Sequence, residues 1–231
     1  MLGIGGGLTH ISEHEQLYSV TFDGTGDIIN LNDTFQATFK GDFSVSCWVN
    51  LSDSSPTTNQ FIWGSNEGNT DKLYLAYLTS GNWYLWFEGD NDEATPINVS
   101  SGLSGNDPTG WHHVVIYANN VGASAHSTIA LFVNGSYVTH SGSGITGANH
   151  TAFATTKNLY IGAYNNQDSV GLPITGKVSD FAIWDVALDA DAIDVIYNSG
   201  KPFDLTSDRT TGAKVYDNAS DLVSYYKMND G

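Results

Sequence analysis

Residues 158–200 read NLYIGAYNNQDSVGLPITGKVSDFAIWDVALDADAIDVIYNSG, and three successive patterns in this stretch decide the fold. Leu159-Tyr160-Ile161-Gly162 is a short apolar run halted by a glycine. Lys177 to Trp184 alternates, with Val178, Asp180, Ala182 and Trp184 on one face and Ser179, Phe181 and Ile183 on the other. That two-residue period is the mark of an extended strand. The period then lengthens. Ala187, Leu188, Ala192, Ile193, Ile196 and Tyr197 fall at helical spacing, so one short helix is expected near residues 189–198. Asp189 caps its start and Asn198-Ser199-Gly200 ends it.

Upstream the chain reads as strands joined by turns. Tyr18–Phe22 precedes the turn Asp23-Gly24-Thr25-Gly26, and Asp42–Leu51 and Gln60–Trp63 follow. Lys72–Leu78 and Trp83–Glu88 flank Thr79-Ser80-Gly81-Asn82 as a hairpin. In that pair Leu73, Leu75 and Tyr77 oppose Tyr74, Ala76 and Leu78, while Trp83, Leu85 and Phe87 alternate with Tyr84 and Trp86. Strands apolar on both faces belong in mid-sheet or display aromatics on an open surface. Asn134-Gly135, between Thr128–Asn134 and Ser136–Thr139, is a strong signal for a two-residue hairpin turn.

These pieces, in this order, resemble the laminin G-like, concanavalin A-like jelly-roll domains over about residues 17–200. The resemblance rests on the strand, strand, short-helix ending and on four upstream segments: Tyr18–Gly24, Phe43–Val49, Gly110–Val115 with its Trp111-His112-His113, and Leu131–Gly135. It implies an all-β fold, an antiparallel two-sheet jelly-roll sandwich with the one short helix. Residues 1–16 are a glycine-rich arm and residues 17–231 the sandwich. Within the latter, Leu222–Met228 is either the closing strand or the start of a further repeat.

Composition narrows the function classes. At 231 residues the chain suits one large all-β domain. A net charge of −17, with only 8 lysines and arginines, argues against a nucleic-acid backbone as partner. No run is long and apolar enough for membrane insertion. The N-terminal MLGIGGGLTHISEHEQ lacks the basic region and apolar core of a secretory signal. The single cysteine, Cys47, shares a strand face with Phe43, Val45 and Val49 and reads as a core residue.

Candidate chemistry comes in four kinds. His112 and His113 are adjacent in a strand and point to opposite faces, which disfavours a catalytic pair. His10 and His14 have a metal-ligand spacing only if the arm is helical, which nothing else there supports. Glu88, Asp90 and Glu93 match the spacing of the carboxylates in jelly-roll glycoside hydrolases, but Gly89, Asn91 and Asp92 between them are turn formers. The resemblance implies a Ca²⁺ site at positions matching Asp23 and Asp180, the alternative for Asp23 being a brace within its own turn.

Sugar binding needs flat aromatic platforms beside neutral hydrogen-bonding groups. Trp63, Tyr74, Trp83 and Trp86 are the expected ligand-binding residues, with Tyr77, Tyr84, Asn59, Asn66, Asn69 and Asn82 of suitable type nearby. The reading is therefore a non-catalytic binding protein, a phage virion structural, decoration or adhesion component. Its expected partners are other virion proteins, a second copy of itself and host surface polysaccharide, with the arm or the Leu222–Met228 strand contacting another subunit. A secreted or cell-surface bacterial carbohydrate-binding adhesion module is the alternative, and a glycoside hydrolase the second.

Overall fold

The computed structural model describes residues 19–68, 71–88, 95–99, 108–119, 128–138 and 153–228, with 95–99 and Thr128 in backbone only. The expected arm, with His10 and His14, lies outside the described residues, as do Asn69, Asp90 and Glu93. In chain order the first elements are β1 (Val20–Asp23), β2 (Ile29–Asn30), α1 (Gln36–Phe39), β3 (Phe43–Leu51), β4 (Gln60–Asn66), β5 (Lys72–Tyr77), β6 (Trp83–Glu88) and β7 (Thr95–Val99). There follow β8 (His112–Asn119), β9 (Thr128–Val133), β10 (Ser136–Tyr137), β11 (Tyr160–Ile161), β12 (Tyr164–Asn166), β13 (Ser169–Gly171) and β14 (Thr175–Trp184). The last are α2 (Ala190–Tyr197), β15 (Arg209–Thr211), β16 (Lys214–Tyr216) and β17 (Leu222–Tyr226).

Two sheets face each other. The first runs β1-β14-β3-β8-β9-β10, with β17 also on β14; the second runs β13-β12-β4-β5-β6-β7, with β11 joining β4 to β2. Pairing is antiparallel except where β12 meets β4, in parallel, at Asn165–Ser65 and Asn166–Asn66. The core lies between the sheets and includes Phe43, Val45, Cys47 and Val49 of β3, Leu73, Leu75 and Tyr77 of β5, and Trp83, Leu85 and Phe87 of β6. The expected alternation of these strands holds. Burial raises the Cys47 thiol pKa to about 12, so it stays protonated and inert.

In β14 the simple alternation fails. Val178 shares the inter-sheet core with Phe181 and Ile183, whereas Ala182 and Trp184 face the other way, into a second apolar cluster. The register with β3 shifts between Ser179 and Ala182, and Asp180 sits there at φ 46°. A bulge inserts one extra residue and flips the phase, so Val178 does not line up with Ala182 and Trp184. Tyr225 Oη donates to Asp180 Oδ1 at 2.7 Å and Ser179 Oγ to Oδ2 at 2.7 Å, which holds the bulge.

The second cluster covers the outer face of the first sheet. Ala192, Ile193, Val195 and Ile196 of α2 pack with Leu188, Leu205 and Tyr216 on Val115, Ala130, Phe132, Ala182 and Trp184. The helix starts as expected, with Ala192 N donating to Asp189 Oδ1 at 2.8 Å, and Asn198 closes it in the left-handed conformation, φ 49°. Ser44 on β3 anchors the approach to it, accepting from Leu188 N at 2.8 Å and donating to Val186 O at 3.0 Å. At the other end of this face, the Asn134-Gly135 turn has φ 52° and 74°, the pattern of a type I′ hairpin. A Cβ on Gly135 would lie 2.8 Å from Tyr197 Cδ1, so glycine is required for space as well as conformation.

β1 and β17 lie end to end along one edge of β14, β1 against Thr175–Val178 and β17 against Phe181–Trp184. Leu222–Tyr226 thus pairs within this sandwich.

Two outcomes follow for stability. Trp184 Nε1 donates to Tyr216 Oη at 3.1 Å, and Tyr216 Oη donates to Leu205 O at 2.7 Å, all buried. Trp184→Ala should cost about 3–5 kcal/mol, through the cavity and the lost transfer energy. Tyr216→Phe keeps the ring but orphans a buried donor and a buried acceptor, at about 1–3 kcal/mol each; urea denaturation measures both. Tyr216 is raised by burial from 10.0 to about 12, and Tyr225 is raised further by burial and the Asp180 carboxylate. Groups whose folded pKa is raised stabilise the fold fully below pH 10 and lose that contribution as pH rises toward 12. Denaturation at stepped alkaline pH should show stability falling across that window, with phenolate absorbance from these rings appearing on unfolding.

Candidate ligand face of the second sheet

No apolar cluster forms over the outer face of the second sheet among the described residues. Because β5 and β6 alternate strictly, burying Leu73, Leu75, Trp83, Leu85 and Phe87 inward places Tyr74, Tyr84 and Trp86 outward. β4 adds Phe61 and β12 adds Tyr164, brought alongside by the short parallel contact between those strands. The result is a continuous row of rings. Phe61 and Tyr164 stack at 4.2 Å, Tyr164 and Tyr74 lie 5.6 Å apart, Tyr74 and Trp86 6.2 Å, and Tyr84 and Trp86 5.8 Å. Phe61 is buried as the floor of the row, while Tyr164, Tyr74, Tyr84 and Trp86 remain partly exposed.

Two glycines make room for these rings. Gly64 pairs with Tyr74 at φ +155°, and a Cβ there would lie 2.2 Å from Tyr74 Cβ. Gly171 pairs with Tyr164, and a Cβ there would lie 2.3 Å from Tyr164 Cε1, so the ring lies across the glycine. An aromatic laid over a cross-strand glycine turns its flat side along the sheet surface.

Polar groups interleave with the rings. Lys72 Nζ lies 2.8 Å from Glu88 Oε2 and 5.6 Å above the Trp86 ring. Trp86 Nε1 donates to the same carboxylate oxygen at 2.9 Å. Asn66 Nδ2 donates to Asn166 Oδ1 at 3.2 Å, beside Tyr164. Burial pushes the Tyr84 hydroxyl up to about 12. Tyr74 is raised by burial and then by Tyr84, Tyr164 and Glu88, and Tyr164 by burial. The phenols therefore stay protonated and neutral, able both to donate and to accept.

Of the four residues expected to bind ligand, the structure brings two to this face. Tyr74 and Trp86 stand on it, but Trp63 and Trp83 are 1% and 2% exposed, in the inter-sheet core. Trp63 packs edge-on against Phe181, and Trp83 against Tyr77, itself a core residue. Both tryptophans lie on the inward set of their strands. Tyr164 and Phe61 went unrecognised in the sequence because they join the row through β12 and β4, whose pairing links residues 100 apart. The local signal was the glycine opposite each tyrosine, readable only once the register is known.

The carboxylates expected to share Ca²⁺ are not neighbours. Asp23 pairs with Thr175, five residues before Asp180, on the order of 16 Å along the strand. Asp23 braces its own turn, with Oδ1 accepting from Thr25 N at 2.8 Å and Thr25 Oγ1 at 2.6 Å. Both oxygens of the buried Asp180 are taken by Tyr225 and Ser179. The pair does not fit a single calcium ion, and among the described residues no group of three or more His, Cys, Asp or Glu side chains could hold a metal. His112 and His113 point to opposite faces, as strand geometry requires. His112 lies 6.1 Å from Trp83, and His113 packs beside Trp48 at 4.9 Å and Tyr197 at 6.2 Å, rings that themselves lie 6.0 Å apart.

Comparison with known proteins agrees with this architecture. No curated protein sequence matches the chain significantly. Among solved structures, the CBM40 module of the Ruminococcus gnavus IT-sialidase, bound to α2,3-sialyllactose, superposes at TM-score 0.59 and 15% identity, covering 78% of this chain and 96% of that one. The binding domain of botulinum neurotoxin serotype D superposes at TM-score 0.57 and 21% identity, covering 78% of this chain and 42% of that one. The binding domain of botulinum neurotoxin DC, in complex with rat synaptotagmin II, gives TM-score 0.59 and 18% identity, covering 79% and 43%. At these identities the likeness is one of fold. Residues 23–194 match the sequence profile of the concanavalin A-like lectin/glucanases superfamily, and the chain belongs to that family.

Proposed function

We propose that this chain is a non-catalytic carbohydrate-binding module whose ligand lies on the outer face of the second sheet. The observation that carries the reading is the row Tyr164, Tyr74, Trp86 and Tyr84 on the sheet face over which no apolar cluster forms among the described residues, interleaved with the Lys72–Glu88 and Asn66–Asn166 pairs. Sugar rings carry apolar C–H patches and a rim of hydroxyls, which suit aromatic faces and mixed donors and acceptors. The R. gnavus module of similar fold, with sialyllactose bound, supports the same class of ligand. Glu88 Oε2 is occupied by Lys72 and Trp86, which suits a positioning role better than proton transfer to a glycosidic oxygen. The setting expected from the sequence, a phage virion with virion proteins as partners, rests on composition and the leading glycine-rich stretch, and mass spectrometry of purified particles tests it.

Binding to an array of immobilised oligosaccharides, followed by calorimetry on the best ligand, measures the proposal. Trp86→Ala and Tyr74→Ala should each weaken binding about tenfold, the equivalent of a lost aromatic contact near 1.4 kcal/mol. Gly171→Ala should weaken it too, by lifting Tyr164 off the sheet. Trp63→Phe and Trp83→Phe should lower the melting temperature and leave affinity unchanged. Binding that survives all three changes on the outer face, or reducing sugar released from the ligand, would refute the reading.

A further inference from the structure

Resting on that reading, we infer that the outer aromatic face selects uncharged oligosaccharides and rejects sialylated and other anionic glycans, with the Lys72–Glu88 pair as its hydroxyl-binding anchor beside Trp86. Capturing a sugar carboxylate or sulfate calls for a cation whose donors are open, most often an arginine in bidentate contact. The chain has one arginine, Arg209. It lies on β15, its guanidinium 4.6 Å over the Phe203 ring and donating to Asn198 Oδ1 at 3.1 Å, on the cover of the opposite sheet. On the aromatic face the lysine is Lys72, neutralised by Glu88. At the loop beyond β12, Lys157 is held 2.6 Å from Asp168. An anion approaching Trp86 therefore meets the Glu88 carboxylate together with the Lys72 ammonium, on a protein of net charge −17. Both the local and the long-range fields oppose it.

The same groups suit a neutral sugar. Lys72, its side chain 19% exposed, can offer a further donor to a sugar hydroxyl at the edge of the Trp86 ring, while the buried Glu88 holds and neutralises that ammonium. Tyr74 and Tyr84 add hydroxyls that donate and accept without charge. The row crosses β12, β4, β5 and β6, which is roughly 14 Å at about 4.8 Å per strand step, so the site takes a short oligosaccharide lying across the strands. The R. gnavus module was solved with sialyllactose; the cation that such a ligand calls for has no free counterpart on this face among the described residues.

The test uses matched glycans: neutral gluco-, manno-, galacto- and N-acetylglucosamine oligomers beside sialylated and uronic acid-bearing counterparts, at 0.05 and 0.5 M NaCl. The expected result is binding to neutral members only, unchanged by salt. Glu88→Gln releases the Lys72 charge, and it should lose at least tenfold on the neutral ligand while gaining binding to the acidic counterpart, a gain that misfolding cannot mimic. Wild-type protein that binds the acidic member as well as or better than its neutral partner overturns this inference and leaves the carbohydrate reading standing. Binding to neutral members together with a Glu88→Gln variant that gains nothing overturns the anchor role. No binding to any glycan overturns the reading beneath both.

Discussion

Strand β14 has to be paired on both edges and buried on both faces, and much of the molecule is arranged to meet that demand. One edge is filled by β3 and the other by β1 and β17 in succession. One face needs Val178, Phe181 and Ile183 in the inter-sheet core; the other needs Ala182 and Trp184 under the α2 cover. A regular strand of this sequence would send Phe181 and Val178 to opposite sides. The bulge at Asp180 removes the conflict, at the cost of a left-handed residue and a buried carboxylate, and the Tyr225 and Ser179 hydroxyls supply the hydrogen bonds that such a carboxylate needs. Asp180 is thus structural: it holds the phase change that allows a second hydrophobic cluster to exist.

The cover has a functional consequence. The segment after β14 packs α2, Leu205 and Tyr216 on the first sheet, so that sheet carries an apolar cluster on both sides. The second sheet has an outer face without such an apolar cluster among the described residues, and its large side chains there are aromatic instead of aliphatic. Aliphatic residues in that position would form a patch prone to association, whereas tyrosine and tryptophan offer a flat apolar face and a polar edge that water tolerates. On the proposed carbohydrate-binding reading, the asymmetry between the two outer faces is what separates scaffold from site.

Electrostatics act on the same division. Few cations exist in the chain, and four lysines stand against carboxylates: Lys72, Lys157, Lys214 and Lys227. The exposed pairs among them, Lys214–Asp194 and Lys227–Asp204, add little stability. The effect of all four pairs is to balance four of the chain's eight cations against carboxylates, which bears more on the choice of partner than on folding.

The sequence by itself determined what depends on neighbours along the chain. The capped helix at residues 190–197, the Asn134-Gly135 turn and the two-faced apolar alternation of β5 and β6 are set by local conformational preference and by period, and all are present as read. The ending in Leu159–Gly200 carried the family likeness for the same reason. Tertiary structure alone decided which apolar face would be covered. Trp63 and Trp83 looked no different in sequence from Trp86, yet two are core and one is surface, because burial depends on what a distant segment lays over each face. The bulge that flips β14 required a partner strand to define its register, and the parallel contact of β12 with β4 placed Tyr164 beside Tyr74 across 90 residues of chain. Asp23 and Asp180 matched a ligand pattern in order but were set apart by their own strand pairing. Order along a chain fixes which residues are available; only the packing of remote strands fixes which of them meet.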